Sequence, residues 1–254
     1  MDGEHYYVAI ESARASKKKE KVDAPSEKRV LVLRADQDHL VAVQRVELPE
    51  KSVSPETSFA ALPNGNLVCA VWQHRSLFEL VRATASDPNA NPKCPREPFE
   101  ATVSVRTLPE KALAICGSSV AGEWRLAVSF ADSSVRLFEW TAQNAPREVA
   151  RLHRALDHWS PSFLAALPST SALIVANGRL VDGRWVTALE LFTAEGSTAN
   201  GTQSLGSPRR LLSSESGVLL WGQLQFVRSN AGDGRLRLFA FDVVSHSLRV
   251  FDIS

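Results

Sequence analysis

Ala131-Asp132-Ser133-Ser134-Val135-Arg136-Leu137-Phe138-Glu139-Trp140 is the stretch that decides the fold of this chain. A polar turn leads into a strand of alternating apolar side chains, and near its end both faces carry large apolar groups. That is the pattern of a strand held between two layers. The phrase recurs three more times. Gln73-His74-Arg75 precedes Ser76–Arg82, Val181-Asp182-Gly183 precedes Arg184–Phe192, and Ala231-Gly232-Asp233 precedes Gly234–Asp242.

Successive copies lie about fifty to sixty residues apart, slightly more than the roughly 40–45 of WD40 blades. Working outward from each copy, the chain divides into units of an outer strand followed by three more. The first unit takes Val41–Val46, Ser58–Leu62, Asn66–Trp72 and Ser76–Arg82. The second takes Ala101–Arg106, Ala112–Gly117, Trp124–Phe130 and Ser134–Trp140. The third takes Glu148–Leu152, Phe163–Leu167, Ala172–Asn177 and Arg184–Phe192. The last keeps Gly217–Val227, Gly234–Asp242 and Ser247–Ile253. Before them, Tyr6–Ile10 and Arg29–Arg34 form the hairpin of a partial first unit. Helix signals are weak throughout. The expected fold class is all-β: a WD40-like β-propeller of about five recognisable blades, as a closed five-bladed ring or an incomplete, shortened one.

Residues 1–254 make one propeller domain on this reading, with a charged insertion at 12–28 and a Pro/Asn-rich loop at 84–98. The insertion carries Lys17, Lys18, Lys19 and Lys21, diluted by Glu20, Asp23 and Glu27, which reads as a solvated face. The composition, 44% hydrophobic and 22% charged, is that of a globular domain. A net charge of +1 removes the global electrostatic case for nucleic acid or anionic membrane. Cys69, Cys94 and Cys116 form no CxxC pair, and Cys69 and Cys116 lie in apolar runs as small buried hydrophobes. Odd cysteines, an N-terminus without a secretory pattern and no membrane-length apolar run point to the cytoplasm, with the nucleus as the alternative. Trp72, Trp140, Trp185 and Trp221 fall in or beside strands and are expected to fill space between blades.

No phosphate-binding loop, dinucleotide fingerprint, metal motif or nucleophile elbow is present, so no cofactor and no metal is expected. One cluster combines reactive groups: His153-Arg154-Ala155-Leu156-Asp157-His158-Trp159-Ser160. His153 or His158 could act as a general base, with Asp157 fixing the tautomer, to activate water or Ser160 toward an ester carbonyl. The competing reading makes His153 structural. In WD repeats a His after the outer strand joins a buried network with a turn Asp, and Asp182 is the natural partner.

On these residues the chain resembles the diphthine methyl ester hydrolases of the diphthamide pathway. The matching features are an early strand before a long charged insertion (Tyr7–Lys28), then Val41-Ala42-Val43-Gln44-Arg45, Ser76-Leu77-Phe78-Glu79-Leu80-Val81 and Asp132–Leu137. An outer strand then leads to a His, an acid and a Trp, here His153, Asp157 and Trp159. The family's Gly-Gly-Asp-Asp-Gly turn stands here as Asn177–Gly183, keeping the final Asp-Gly. The resemblance implies a carboxyl methyl ester hydrolase acting on methylated diphthine of elongation factor 2, with a protein partner and with His153, Asp157 and His158 at the site. Alternatively the chain is a non-catalytic WD-repeat scaffold for protein–protein interactions. A slighter resemblance, in Leu31–Asp36 and Ser54–Thr57, is to the WD-type exchange factors for a small secretory GTPase.

Overall fold

The computed structural model describes residues 5–12, 27–36, 39–49, 57–83, 98–120, 123–140, 146–152, 160–166, 172–197, 203–205, 209–216, 220–228, 236–242 and 244–253. The described residues contain strands and turns and no helix, so none is long and apolar enough to cross a membrane. Two compact units divide the chain: Met1–Val71 with Leu77–Arg106, and Trp72–Ser76 with Thr107–Ser254.

The first unit holds two antiparallel meanders. β1 (His5–Ser12), β2 (Glu27–Asp36) and β3 (His39–Glu47) pair in that order. Ser12 lies opposite Glu27, so the β1–β2 hairpin brackets the charged insertion, whose residues 13–26 lie outside the described residues. β4 (Ser58–Ala61), β5 (Leu67–Ala70), β6 (His74–Arg82) and the first part of β7 (Phe99–Val120) form the other meander. Their shared core joins Val30, Val32, Val43 and Val46 to Phe59, Cys69, Phe78 and Leu80. Buried Gln44 acts as a clasp. Its Nε2 donates to the Phe99 carbonyl at 2.8 Å and its Oε1 accepts from the Phe99 amide at 3.0 Å. A buried amide satisfied at both ends fixes β3 against the start of β7.

The second unit continues with the rest of β7, β8 (Glu123–Phe130), β9 (Val135–Glu139) and β10 (Arg147–Leu152). Next come β11 (Ser160–Ala166), β12 (Ala172–Val181) and β13 (Arg184–Ser197). Both β14 (Gln203–Leu205) and β15 (Arg209–Ser216) pair with β13. β16 (Leu220–Arg228), β17 (Leu236–Asp242) and β18 (Ser247–Ile253) make a final three-stranded sheet. Val135, Leu137 and Ala150 pack with Leu164, Leu173, Val175 and Phe192. β9 and β12 are therefore buried on both faces, as their apolar runs require.

Every sheet is antiparallel and, β15 apart, joined in chain order, the connectivity of propeller blades. With short β14 set aside, three four-stranded and two three-stranded meanders among the described residues account for the five expected units. The fold is all-β and propeller-type.

Four details differ from the sequence reading. The strands at 101–106 and 112–117 merge into one, because the link between them is held extended from the side. Arg75 Nη2 donates to the Pro109 carbonyl at 2.5 Å, Gln73 N to Ala112 O at 2.7 Å, and Ala131 N to Lys111 O at 2.9 Å. β14 and β15 were not expected, because Arg209–Ser216 lacks apolar alternation and gains its structure by pairing with β13. The fourth copy of the turn-and-strand phrase is misplaced. Gly234–Asp242 covers the middle strand β17, and the third-strand role belongs to β18. Finally, Trp185 is 39% exposed and fills no space between sheets.

Candidate functional site

The proposed site residues His153, Asp157 and His158, with Trp159, lie outside the described residues. Both anchors of their loop are described, and both belong to the second unit. At the entry Leu152, the last residue of β10, pairs with Val135. At the exit Ser160, the first residue of β11, pairs with Gly178.

At the entry stands a ladder of alternating charges. Asp132 opens the β8–β9 turn, which Ser133 completes at φ 64°. Asp132 Oδ1 accepts from the Ser134 amide at 3.0 Å and from its hydroxyl at 2.5 Å, and Oδ2 accepts from Arg136 Nη2 at 2.5 Å. Arg136 is buried, stacks over the Phe130 ring at 4.6 Å, and donates from Nη1 to Glu148 Oε2 at 3.3 Å. Glu148 in turn accepts from Arg151 Nε at 2.8 Å. Burial pulls the Asp132 carboxyl upward, but the Ser134 hydrogen bonds and the Arg136 charge outweigh it and hold it low. Glu148 behaves alike: burial opposes, and Arg151 and Arg136 prevail. Arg151 is raised, chiefly by its hydrogen bond to Glu148.

A second pattern repeats between outer strands. Glu79 on β6 accepts from Arg106 of β7 at 2.8 Å and from Asn66 Nδ2 at 2.9 Å. Glu139 on β9 accepts from Arg147 of β10, which holds its carboxyl low, with Arg125 of β8 at 3.9 Å. Glu190 on β13 lies opposite Arg210 of β15 in register and accepts from Asn177 Nδ2 at 2.8 Å. These pairs tie the third strand of a meander to the fourth. They are structural.

At the loop exit the β12–β13 hairpin turns at Asp182-Gly183, with φ of 48° and 74°. Positive φ at both central residues is the type I′ geometry that suits a two-residue hairpin, and Gly183 adopts it without strain. Asn177–Val181, read in the sequence as part of a turn, stays in β12. Among the described residues, the pairing of β11 with β12 reaches Gly178 and that of β15 with β13 reaches Val186. Leu180 and Trp185 are cross-strand partners, 59% and 39% exposed, beside exposed Arg184. Asp182, the suggested partner of His153, sits exposed at the tip.

The remaining reactive groups are inert. Cys69 and Cys116 are free and buried, and burial raises both thiols, Cys116 to about 12. A protonated buried thiol is no nucleophile. Every shifted group among the described residues moves away from neutrality, so none of these is tuned for proton transfer. Among the described residues no cluster of three or more His, Cys, Asp or Glu is placed to hold a metal ion. The exposed pair was missed in the sequence because Leu180 read as part of a turn and Trp185 as a ring filling space between blades.

No protein-family model and no curated protein matches the chain. Among solved structures it is similar to the β-propeller domain of Nup133 from Vanderwaltozyma polyspora. Identity is 8% and the TM-score 0.48, over 89% of this chain and 64% of that one.

Proposed function

We propose that this chain is a protein-binding propeller scaffold whose partner is engaged at the β12–β13 tip. The observation that carries this reading is the exposed Leu180–Trp185 pair beside the Asp182-Gly183 turn. Indole and leucine side chains beside an arginine suit a protein surface presenting an apolar group and a carboxylate. The pairing of the Glu139 and Glu148 carboxylates ties together strands of the unit that carries the tip.

A second, finer reading is favoured by one observation. Ser160, the last residue of the His-rich loop, pairs with Gly178 of β12, the strand that carries Leu180. On this reading the chain removes the methyl ester of methylated diphthine on elongation factor 2, in the cytoplasm. His153 or His158 takes a proton from water as the oxygen attacks the ester carbonyl. Asp157 holds the tautomer, and methanol leaves with the returned proton to give the free carboxylate.

One experiment addresses both readings. Purified elongation factor 2 bearing methylated diphthine is mixed with the protein, binding is measured by interferometry, and the modified peptide by mass spectrometry. Binding that falls at least tenfold in Leu180→Asp/Trp185→Ala, with the ester intact, supports the scaffold. Loss of the ester that His158→Ala abolishes supports the hydrolase. Absence of both removes elongation factor 2 as the partner.

A further inference from the structure

The β17–β18 hairpin repeats much of the β8–β9 pattern, with one more residue between its two matching segments. Arg125-Leu126 and Ser134-Val135-Arg136-Leu137-Phe138-Glu139 correspond to Arg237-Leu238 and Ser247-Leu248-Arg249-Val250-Phe251-Asp252. The contacts repeat as well. Arg125 faces Glu139 at 3.9 Å and Arg237 faces Asp252 at 3.1 Å. Arg136 meets Asp132 at 2.5 Å and Arg249 meets Asp242 at 3.1 Å. Asp132 accepts from the amide two residues on, and Asp242 does the same.

The surroundings differ. β9 is paired on its far side by β10, whereas among the described residues β18 pairs with β17 alone. Val135 and Leu137 are fully buried, and their counterparts Leu248 and Val250 are 62% and 51% exposed. Glu139 receives a second arginine, Arg147 of β10. The Asp252 carboxylate, 58% exposed, keeps Arg237 but has no counterpart of Arg147 among the described residues. In all three four-stranded meanders an arginine of the fourth strand accompanies that carboxylate: Arg106, Arg147 and, in register, Arg210.

We propose that the outer edge of β18 accepts an extended strand of a partner protein, antiparallel to β18, with a basic residue set against Asp252. The β10 register defines the rest of the pattern. Ala150 and Leu152, three and five residues after Arg147, lie opposite Leu137 and Val135. A matching strand therefore sets apolar side chains beside Val250 and Leu248. Backbone hydrogen bonds along the edge supply affinity, and these side chains supply register. An open apolar edge is otherwise a liability that proteins cover or charge. The inference deepens the protein-binding reading and rests on it, but uses a different surface.

The test uses the full chain and a capped peptide of the β10 sequence Pro-Arg-Glu-Val-Ala-Arg-Leu, followed by hydrogen exchange. The peptide is expected to slow exchange of the outward amides of residues 247–253. Asp252→Lys should weaken binding about fivefold or more, as expected for reversing a partly exposed pair. A peptide with its first arginine changed to glutamate should lose binding equally, and Leu248→Asp should weaken it too. No slowing at millimolar peptide, or slowing that Asp252→Lys leaves unchanged, overturns the proposal. Protection without peptide that grows with protein concentration, together with a dimer in sedimentation, assigns the edge to a second copy and also overturns it. Asp252→Lys leaves binding at the Leu180–Trp185 tip intact, so the two surfaces can fail separately.

Discussion

The β8–β9 and β17–β18 hairpins share a pattern of arginine, serine, apolar and acidic residues, yet among the described residues β9 is paired on both sides, whereas β18 pairs with β17 alone and exposes Leu248 and Val250. Each turn carries an aspartate that accepts from a backbone amide two residues on, from a serine hydroxyl and from an arginine early in the next strand. The local pattern therefore dictates strand, turn and ion pair. Whether the strand becomes core depends on what packs outside it.

That contrast can be broken by mutation, and the largest effect is expected in the buried copy. Leu137→Ala should lower unfolding free energy by about 2–5 kcal/mol, because the cavity opens among Leu164, Leu173 and Phe192. Val250→Ala, half-exposed, should cost less than about 1 kcal/mol. Urea unfolding midpoints compare them, and equal losses would show that β18 is covered in solution.

Next comes the arginine. Arg136→Met should cost about 2 kcal/mol, below the full value for a buried pair because Asp132 and Glu148 keep some water. Arg249→Met, 34% exposed, should cost less. The same denaturation series ranks them, and the reverse order would contradict the contrast.

A pH series sharpens it further. Asp132 and Glu148 titrate below the ordinary carboxylate range of about 4, burial notwithstanding, because Ser134 and the arginines hold them ionised. Their contribution is fully present above that range and is lost as pH falls through the lower folded values. Stability should therefore decline below about pH 4, and Arg136→Met should flatten the decline. An unchanged acid limb in the variant would remove the ladder from the stability account. The smallest effect is expected at Asp252→Ala, within about 0.5 kcal/mol of the parent by thermal unfolding.

The sequence disclosed the repeating unit because its third strands place large apolar groups on both faces after a polar turn. Ser76–Arg82, Ser134–Trp140 and Arg184–Phe192 all proved to be third strands. Outer strands were harder to see. β15 begins Arg209-Arg210-Leu211-Leu212 and ends in four polar residues, and it needs only one partner. Gly234–Asp242 misled because Leu236-Arg237-Leu238-Phe239 mimics Val135-Arg136-Leu137-Phe138, and only the pairing with β18 separates them. For the candidate site, the legible part is where its loop is anchored, at Leu152 and Ser160. The roles of His153, Asp157 and His158 depend on residues outside those described. The exposed Leu180–Trp185 pair was invisible for a physical reason: exposure there depends on tertiary surroundings that a strand pattern does not encode.

Nearly every strand pairs with the one that precedes or follows it, with β15 reaching past β14 as the exception. On a ribosome this means each meander closes as soon as its last strand emerges, without waiting for distant sequence. The meanders then form in chain order, from β1–β3 toward β16–β18.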